Sequence, residues 1–207
     1  MIYILCHPVA LQQRVHLYKG PPRAERVEPL TLRLEPINVG AGLVRELADG
    51  LKRIFAVEVR VRKGLSPGIA LEFYDEERGQ VRADLLVEEL ARLLPPVSLV
   101  LIDADAYVER LNFVFGIAKP GWGGVVFLAR LKPEFYGYPS DEALLLERLL
   151  KEAVHELGHA LGLDHCRNSR CVMRFSNSIV DVDSKTPYFC ARCSRLLQQM
   201  HPGVLRV

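Results

Sequence analysis

His155-Glu156-Leu157-Gly158-His159-Ala160-Leu161-Gly162-Leu163-Asp164-His165 puts three histidines, one glutamate and two glycines into eleven residues. On a helix, positions i and i+4 share a face, so the imidazoles of His155 and His159 can converge on one ion about 2.0–2.1 Å from each nitrogen. Glu156 is rotated by about 100° from His155 around the helix axis. It borders such an ion rather than binding it, which suits a general base acting on water. Gly162 lets the chain turn sharply, after which His165 can return as a third ligand. Three protein ligands leave a fourth position open, as in a catalytic zinc site. Two other readings compete: histidines on an ordinary solvated helix face, and a metal site without catalysis. A pair of histidines alone is a weak signal, whereas the glycine and third histidine at this spacing make the motif specific.

Working upstream, Pro139-Ser140-Asp141-Glu142 opens a long helix. Ser140 can cap it, and carboxylates in the first turn suit the positive end of the helix dipole. This active-site helix should run over about residues 141–162, ending at Gly162 in a left-handed conformation. Residues 97–102 read as an apolar run broken only by Ser98, the mark of a central strand covered on both faces. Residues 113–118 and 125–131 flank the turn Lys119-Pro120-Gly121 and read as edge strands. Residues 43–54 repeat apolar positions at helical intervals, and 55–61 alternate as a half-buried strand. Residues 64–68 read as a turn and 69–74 as a strand. A helix over about 81–94, with Leu85, Leu86, Leu90 and Leu93 on one face, stops at Pro95-Pro96. Residues 2–6 read as a short buried strand, and 8–36 as a loop or loosely paired strands. This alternation predicts an α/β fold: a twisted, mixed, mostly parallel sheet with helices packed on it. Residues 1–165 form an N-terminal subdomain and 166–207 a short C-terminal one, too poor in apolar positions to hold a core of its own.

Composition bounds the class. The 207 residues are 49% hydrophobic and 25% charged, with a net charge of +2, so the overall field recommends no partner. The balance is uneven, however: residues 166–207 carry seven Lys/Arg against two Asp/Glu. No apolar run approaches the roughly 20 residues needed to cross a bilayer. Residues 1–6 are too short for a secretory core and lack a basic lead. The expected compartment is the cytoplasm, with no membrane partner and a monomeric state.

Four of the five cysteines, Cys166, Cys171, Cys190 and Cys193, lie in one short window, and Cys6 stands alone. In a reducing compartment such a cluster holds metal more often than it forms disulfides. Four thiolates suffice to close a tetrahedral structural zinc site at about 2.3 Å per contact. Disulfides and free thiols remain the alternatives. Because His165 and Cys166 are adjacent, neighbouring side chains would serve two different ions. The cysteine-bound zinc would then anchor the segment presenting His165 and supply the folding energy the tail lacks.

The pattern over residues 155–165, followed by Met173, resembles the metzincin clan of zinc endopeptidases. Cys166 directly after the third histidine, then Cys171, Met173 and Cys190-x-x-Cys193, is similar to the archaemetzincin family. The resemblance covers residues 155–193. It implies a metzincin-like fold and a zinc metallopeptidase acting on peptide or protein substrates. His155, His159 and His165 would bind catalytic zinc, Glu156 would be the general base, and Met173 would lie beneath the site as an apolar floor. It also implies an extended peptide running antiparallel along an edge strand, for which residues 112–118 are the candidate.

Lesser signals are weaker. Asp103 and Asp105 are either carboxylates supporting the site or a solvated turn, the latter being favoured. His7, His16 and His201 have no motif around them. Tyr188 could reach an oxyanion only if the chain folds back. Two other functional classes stay open: a non-catalytic zinc protein, and a nucleic-acid-binding module using the basic, zinc-knuckled tail. The latter is disfavoured because the tail lacks interleaved aromatic residues.

Overall fold

The computed structural model describes residues 30–62 and 64–206. The expected strand at residues 2–6, most of the segment 8–36, Cys6, His7 and His16 lie outside the described residues. Five strands form the main sheet in the order β2-β1-β5-β8-β7: β1 (Leu30–Ile37), β2 (Val57–Val61), β5 (Ser98–Ile102), β7 (Gly116–Lys119) and β8 (Gly123–Phe127). All pairings are parallel except β7 with β8, which are antiparallel across the Pro120-Gly121 turn. A small second sheet joins β3 (Tyr74–Asp75), β4 (Gln80–Arg82) and β6 (Ala106–Tyr107).

The apolar run at β5 follows from its position between β1 and β8, with both faces covered. Leu99 and Leu101 point into one core with α1 (Ala41–Ile54) and α4 (Glu142–Ala160). Val100 and Ile102 point into the other, with α3 (Ala83–Leu93). Strand β8 repeats the arrangement, Val126 facing the first core and Val125 and Phe127 the second. The mostly parallel α/β architecture expected from the alternation of elements is therefore present.

Several local expectations need correction. Residues 30–37 are not a loop or loose pairing but a full strand hydrogen-bonded on both sides. The charged Glu35 disguises it; its carboxylate is buried and accepts the Gly64 N–H at 3.3 Å. The expected strand at 69–74 is a helical turn, α2 (Gly68–Leu71), followed by β3. Residues 81 and 82 belong to β4, so α3 starts at Ala83, and its buried side carries Ala83, Leu86, Val87 and Leu90. Leu85 and Leu93 are exposed instead. Only β7 is an edge strand of its pair; β8 is interior. The cap of α4 is Asp141, not Ser140, its carboxylate accepting the Leu144 N–H at 2.9 Å.

After α4 come α5 (Ile179–Ser184) and α6 (Ala191–Met200). Val172, Met173, Val182, Leu197 and Val204 share the core of α1 and α4 rather than building another. The chain end returns to the sheet, where Ala56 donates to the Val204 carbonyl at 2.7 Å. Charged contacts tie α5 to α4: Arg148 makes a bidentate pair with Asp183 at 2.7 Å per contact. Lys185, fully buried, lies 2.8 Å from Glu152 Oε1, although off the direction needed for a hydrogen bond. Removing one partner of a buried pair strands the other charge, which costs about 3–5 kcal/mol. Lys185→Met is expected to lose that much stability in denaturant unfolding, and Lys185→Met/Glu152→Leu to recover most of it. Equal stability of Lys185→Met and wild type would refute this role.

Candidate metal centre

Helix α4 presents His155 and His159 one turn apart. The chain then reverses at Gly162, whose φ of 96° is accessible to glycine and strained for other residues, and Leu163 donates back to the Gly158 carbonyl at 2.9 Å. The reversal brings His165 beside the other two. The three imidazoles have candidate ligand nitrogens all within 4.8 Å of one another. His155 is buried, His159 half-buried and His165 exposed, so the cluster opens toward solvent on the His165 side.

The tautomers follow from the partners. His155 Nδ1 lies 2.8 Å from the Val172 carbonyl and His159 Nδ1 lies 2.7 Å from the Leu163 carbonyl. A carbonyl oxygen only accepts, so each Nδ1 carries the proton and each Nε2 presents a lone pair. Those two Nε2 atoms face each other at 3.1 Å. Two lone pairs at that distance repel unless a cation lies between them. Nitrogens bound to one tetrahedral zinc sit about 3.3–3.4 Å apart, so the donor set fits the ion. Burial lowers the proton affinity of all three rings, His155 most strongly, and takes His165 to about 4. The imidazoles are therefore neutral near pH 7, as metal ligands must be.

Glu156 is buried beside this cluster. Desolvation, followed by repulsion from Glu152, raises its carboxyl well above the usual range, and Lys185 works against the rise. Beneath the helix lies Met173, fully buried. Its thioether fills the space a Cβ on Gly158 would need, so helix and methionine meet as closely as glycine allows.

The four cysteines form a second cluster with sulfurs within 4.8 Å of one another. They are free thiols, and Cys166 Sγ lies 3.8 Å from Cys190 Sγ. A disulfide requires about 2.05 Å; sulfurs around one tetrahedral zinc sit about 3.8 Å apart. Backbone amides of Cys190 and Asn168 point at Cys171 and Cys166 sulfurs at 3.3 and 3.5 Å, as suits thiolates. Burial alone would raise Cys190, but amide and thiol hydrogen bonds hold it down at about 7. The two clusters are coupled through the main chain, because Cys166 donates to the Met173 carbonyl at 2.8 Å.

Other candidates lie elsewhere. Asp105 pairs with Arg130 at 2.7 and 2.8 Å, and Asp103 with Lys132 at 2.6 Å, so both are structural ion pairs rather than partners of the histidines. Tyr188 has an exposed side chain, and among the described residues its main chain alone is engaged, its carbonyl accepting the Val172 N–H at 3.0 Å and its N–H donating to the Thr186 hydroxyl at 3.4 Å. His201 Nε2 reaches the Leu161 carbonyl at 2.9 Å and supports the end of α4. Glu152 lies one helical turn before Glu156, but nothing in the sequence marks Lys185 as its partner.

Comparison with known proteins agrees with this geometry. Residues 48–199 match the family described as Peptidase family M54. The archaemetzincin of Pyrococcus abyssi (strain GE5 / Orsay) is 44% identical over 156 residues, covering 73% of this chain and 83% of the relative. Among solved structures, archaemetzincin from Archaeoglobus fulgidus complexed with malonate superposes with a TM-score of 0.69 at 39% identity, over 80% of this chain and 99% of that one. Archaemetzincin from Methanopyrus kandleri gives a TM-score of 0.71 at 35% identity, over 86% and 98%. The chain thus belongs to peptidase family M54, the archaemetzincins, and is a zinc metallopeptidase.

Proposed function

We propose that His155, His159 and His165 hold one catalytic zinc and that Glu156 is the general base of peptide hydrolysis. The facing Nε2 lone pairs at 3.1 Å carry this reading, since they call for a cation. Zinc, when bound there, supplies Lewis acidity, which acidifies water and polarises a peptide carbonyl. Glu156 takes a proton from the attacking water and delivers it to the departing amine. Its desolvated position favours receiving that proton. Met173 closes the site from below and keeps the imidazoles on a dry floor. The peptide lies extended along β7, whose outer edge has no strand partner among the described residues, so main-chain hydrogen bonds give affinity with little sequence selectivity.

Cys166, Cys171, Cys190 and Cys193 hold a second, structural zinc that staples residues 166–207 onto the subdomain of residues 1–165. The protein acts as a cytoplasmic monomer; among the described residues no helix is long and apolar enough to cross a membrane. The test is cleavage of a diverse fluorogenic peptide library before chelation, after it, and after return of one and two equivalents of zinc. Turnover that disappears on chelation and returns with zinc supports the reading. Turnover indifferent to chelation, with both ions shown to be removed, contradicts it.

A further inference from the structure

Glu156 lies in a notch formed by two glycines of the sheet. A Cβ on Gly116 of β7 would stand 2.5 Å from Glu156 Oε1, 2.7 Å from its Cγ and 2.8 Å from its Cδ. A Cβ on Gly124 of β8 would stand 2.8 Å from Glu156 Cβ. Non-bonded carbons normally rest about 3.5–4.0 Å apart, so neither position can gain a methyl group while Glu156 stays where it is. Both glycines have backbone conformations open to any residue, unlike Gly121 and Gly162 with their positive φ. At Gly116 the three nearest atoms a Cβ would meet all belong to Glu156, whereas a Cβ on Gly124 would also stand 3.3 Å from the Ile117 carbonyl oxygen of β7.

Register explains why both glycines meet the same side chain. Gly116 pairs with Val126, and Ala118 with Gly124. Cross-strand partners share a face, and Val126 belongs to the core of α4. Gly116, Ala118 and Gly124 thus leave a low place under the helix, filled by Glu156. The Glu156 side chain is buried and packs against the main chain of β7 at Gly116.

We propose that Gly116 and Gly124 are positioning residues for Glu156, seating its carboxylate directly against the backbone of the strand along which the peptide lies. This rests on the reading of Glu156 as the base and β7 as the peptide strand. One strand would then fix both reacting partners: its outer edge aligns the peptide and its inner face aligns the carboxylate. A methyl group at Gly116 would push the carboxylate away from its place, and a displacement of about 1 Å can cost on the order of 10²-fold in rate.

The experiment compares zinc-loaded Gly116→Ala, Gly124→Ala, Glu156→Ala, the two glycine–glutamate double variants, and Glu156→Gln. Gly116→Ala is expected to lower kcat on the fluorogenic peptide library by on the order of 10²-fold, with KM, zinc content and the absorption spectrum of the cobalt-substituted enzyme unchanged. Overpacking should also lower its Tm by roughly 3–10 °C. Gly116→Ala/Glu156→Ala should regain the Tm of Glu156→Ala, since the atoms met by the new methyl group are gone. Gly124→Ala should not be rescued in this way, because its methyl group meets the Cβ that Glu156→Ala retains. Wild-type kcat and Tm in Gly116→Ala, or a Tm deficit persisting in its double variant, overturns the proposal. Wild-type kcat in Glu156→Gln overturns the base assignment itself, and with it the proposal.

Discussion

Glu156→Gln should reduce kcat by about 10²–10⁴-fold while leaving KM and zinc content close to wild type. The substitution keeps the length and shape of the side chain, so it fits the same notch beneath α4. It removes the negative charge and with it the ability to take up the water's proton. His155 and His159 keep their own tautomers through the Val172 and Leu163 carbonyls, neither of which depends on Glu156. The ion should accordingly stay, and any residual rate should reflect polarisation of the substrate without proton transfer. The readouts are steady-state kinetics on the fluorogenic peptide library and zinc stoichiometry by elemental analysis. A Gln variant turning over at half the wild-type rate or faster would remove Glu156 from the mechanism.

Cys190→Ser is expected to act through the fold. On the proposed reading the four cysteines hold a structural zinc, and metal-coupled ordering of that kind is worth on the order of 10 kcal/mol. Loss of one ligand should release the second zinc and loosen the segment around Cys166, Cys171 and Cys193. That segment also presents His165 and Met173, linked by the Cys166 amide to the Met173 carbonyl at 2.8 Å. Activity should therefore fall although no residue of the histidine cluster has changed, and zinc content should drop from two equivalents to one or fewer. Two retained zinc ions together with a wild-type rate would contradict the stapling role.

What the sequence made legible was local. The spacing of His155, His159, Gly162 and His165 translates into geometry through one helix and one turn, and the cysteine pairs through one short loop and one helix start. The apolar stretch within 97–102, interrupted only by Ser98, announces a central strand because both of its faces are covered. Misreadings arose where tertiary contacts satisfy polar groups. Glu35 gives β1 a charged look, yet the Gly64 amide accommodates its carboxylate. Leu85 and Leu93 suggest a broader apolar stripe on α3 than the sheet covers, because the helix begins only at Ala83. The Glu152–Lys185 pair and the glycine notch under Glu156 were invisible, since each depends on elements far apart in sequence. Glycine inside a strand carries no label saying which helix presses on it.

Anomalous diffraction at the zinc edge, from crystals of the protein loaded with two equivalents of zinc, would test most directly whether three imidazoles grip an ion and leave one vertex to solvent. One peak should be bounded by Nε2 of His155 and His159 and a ring nitrogen of His165, with water at the remaining position and the Glu156 carboxylate alongside. A second should sit among the four cysteine sulfurs. An empty histidine cluster, or a fourth vertex filled by a protein side chain, would contradict this arrangement.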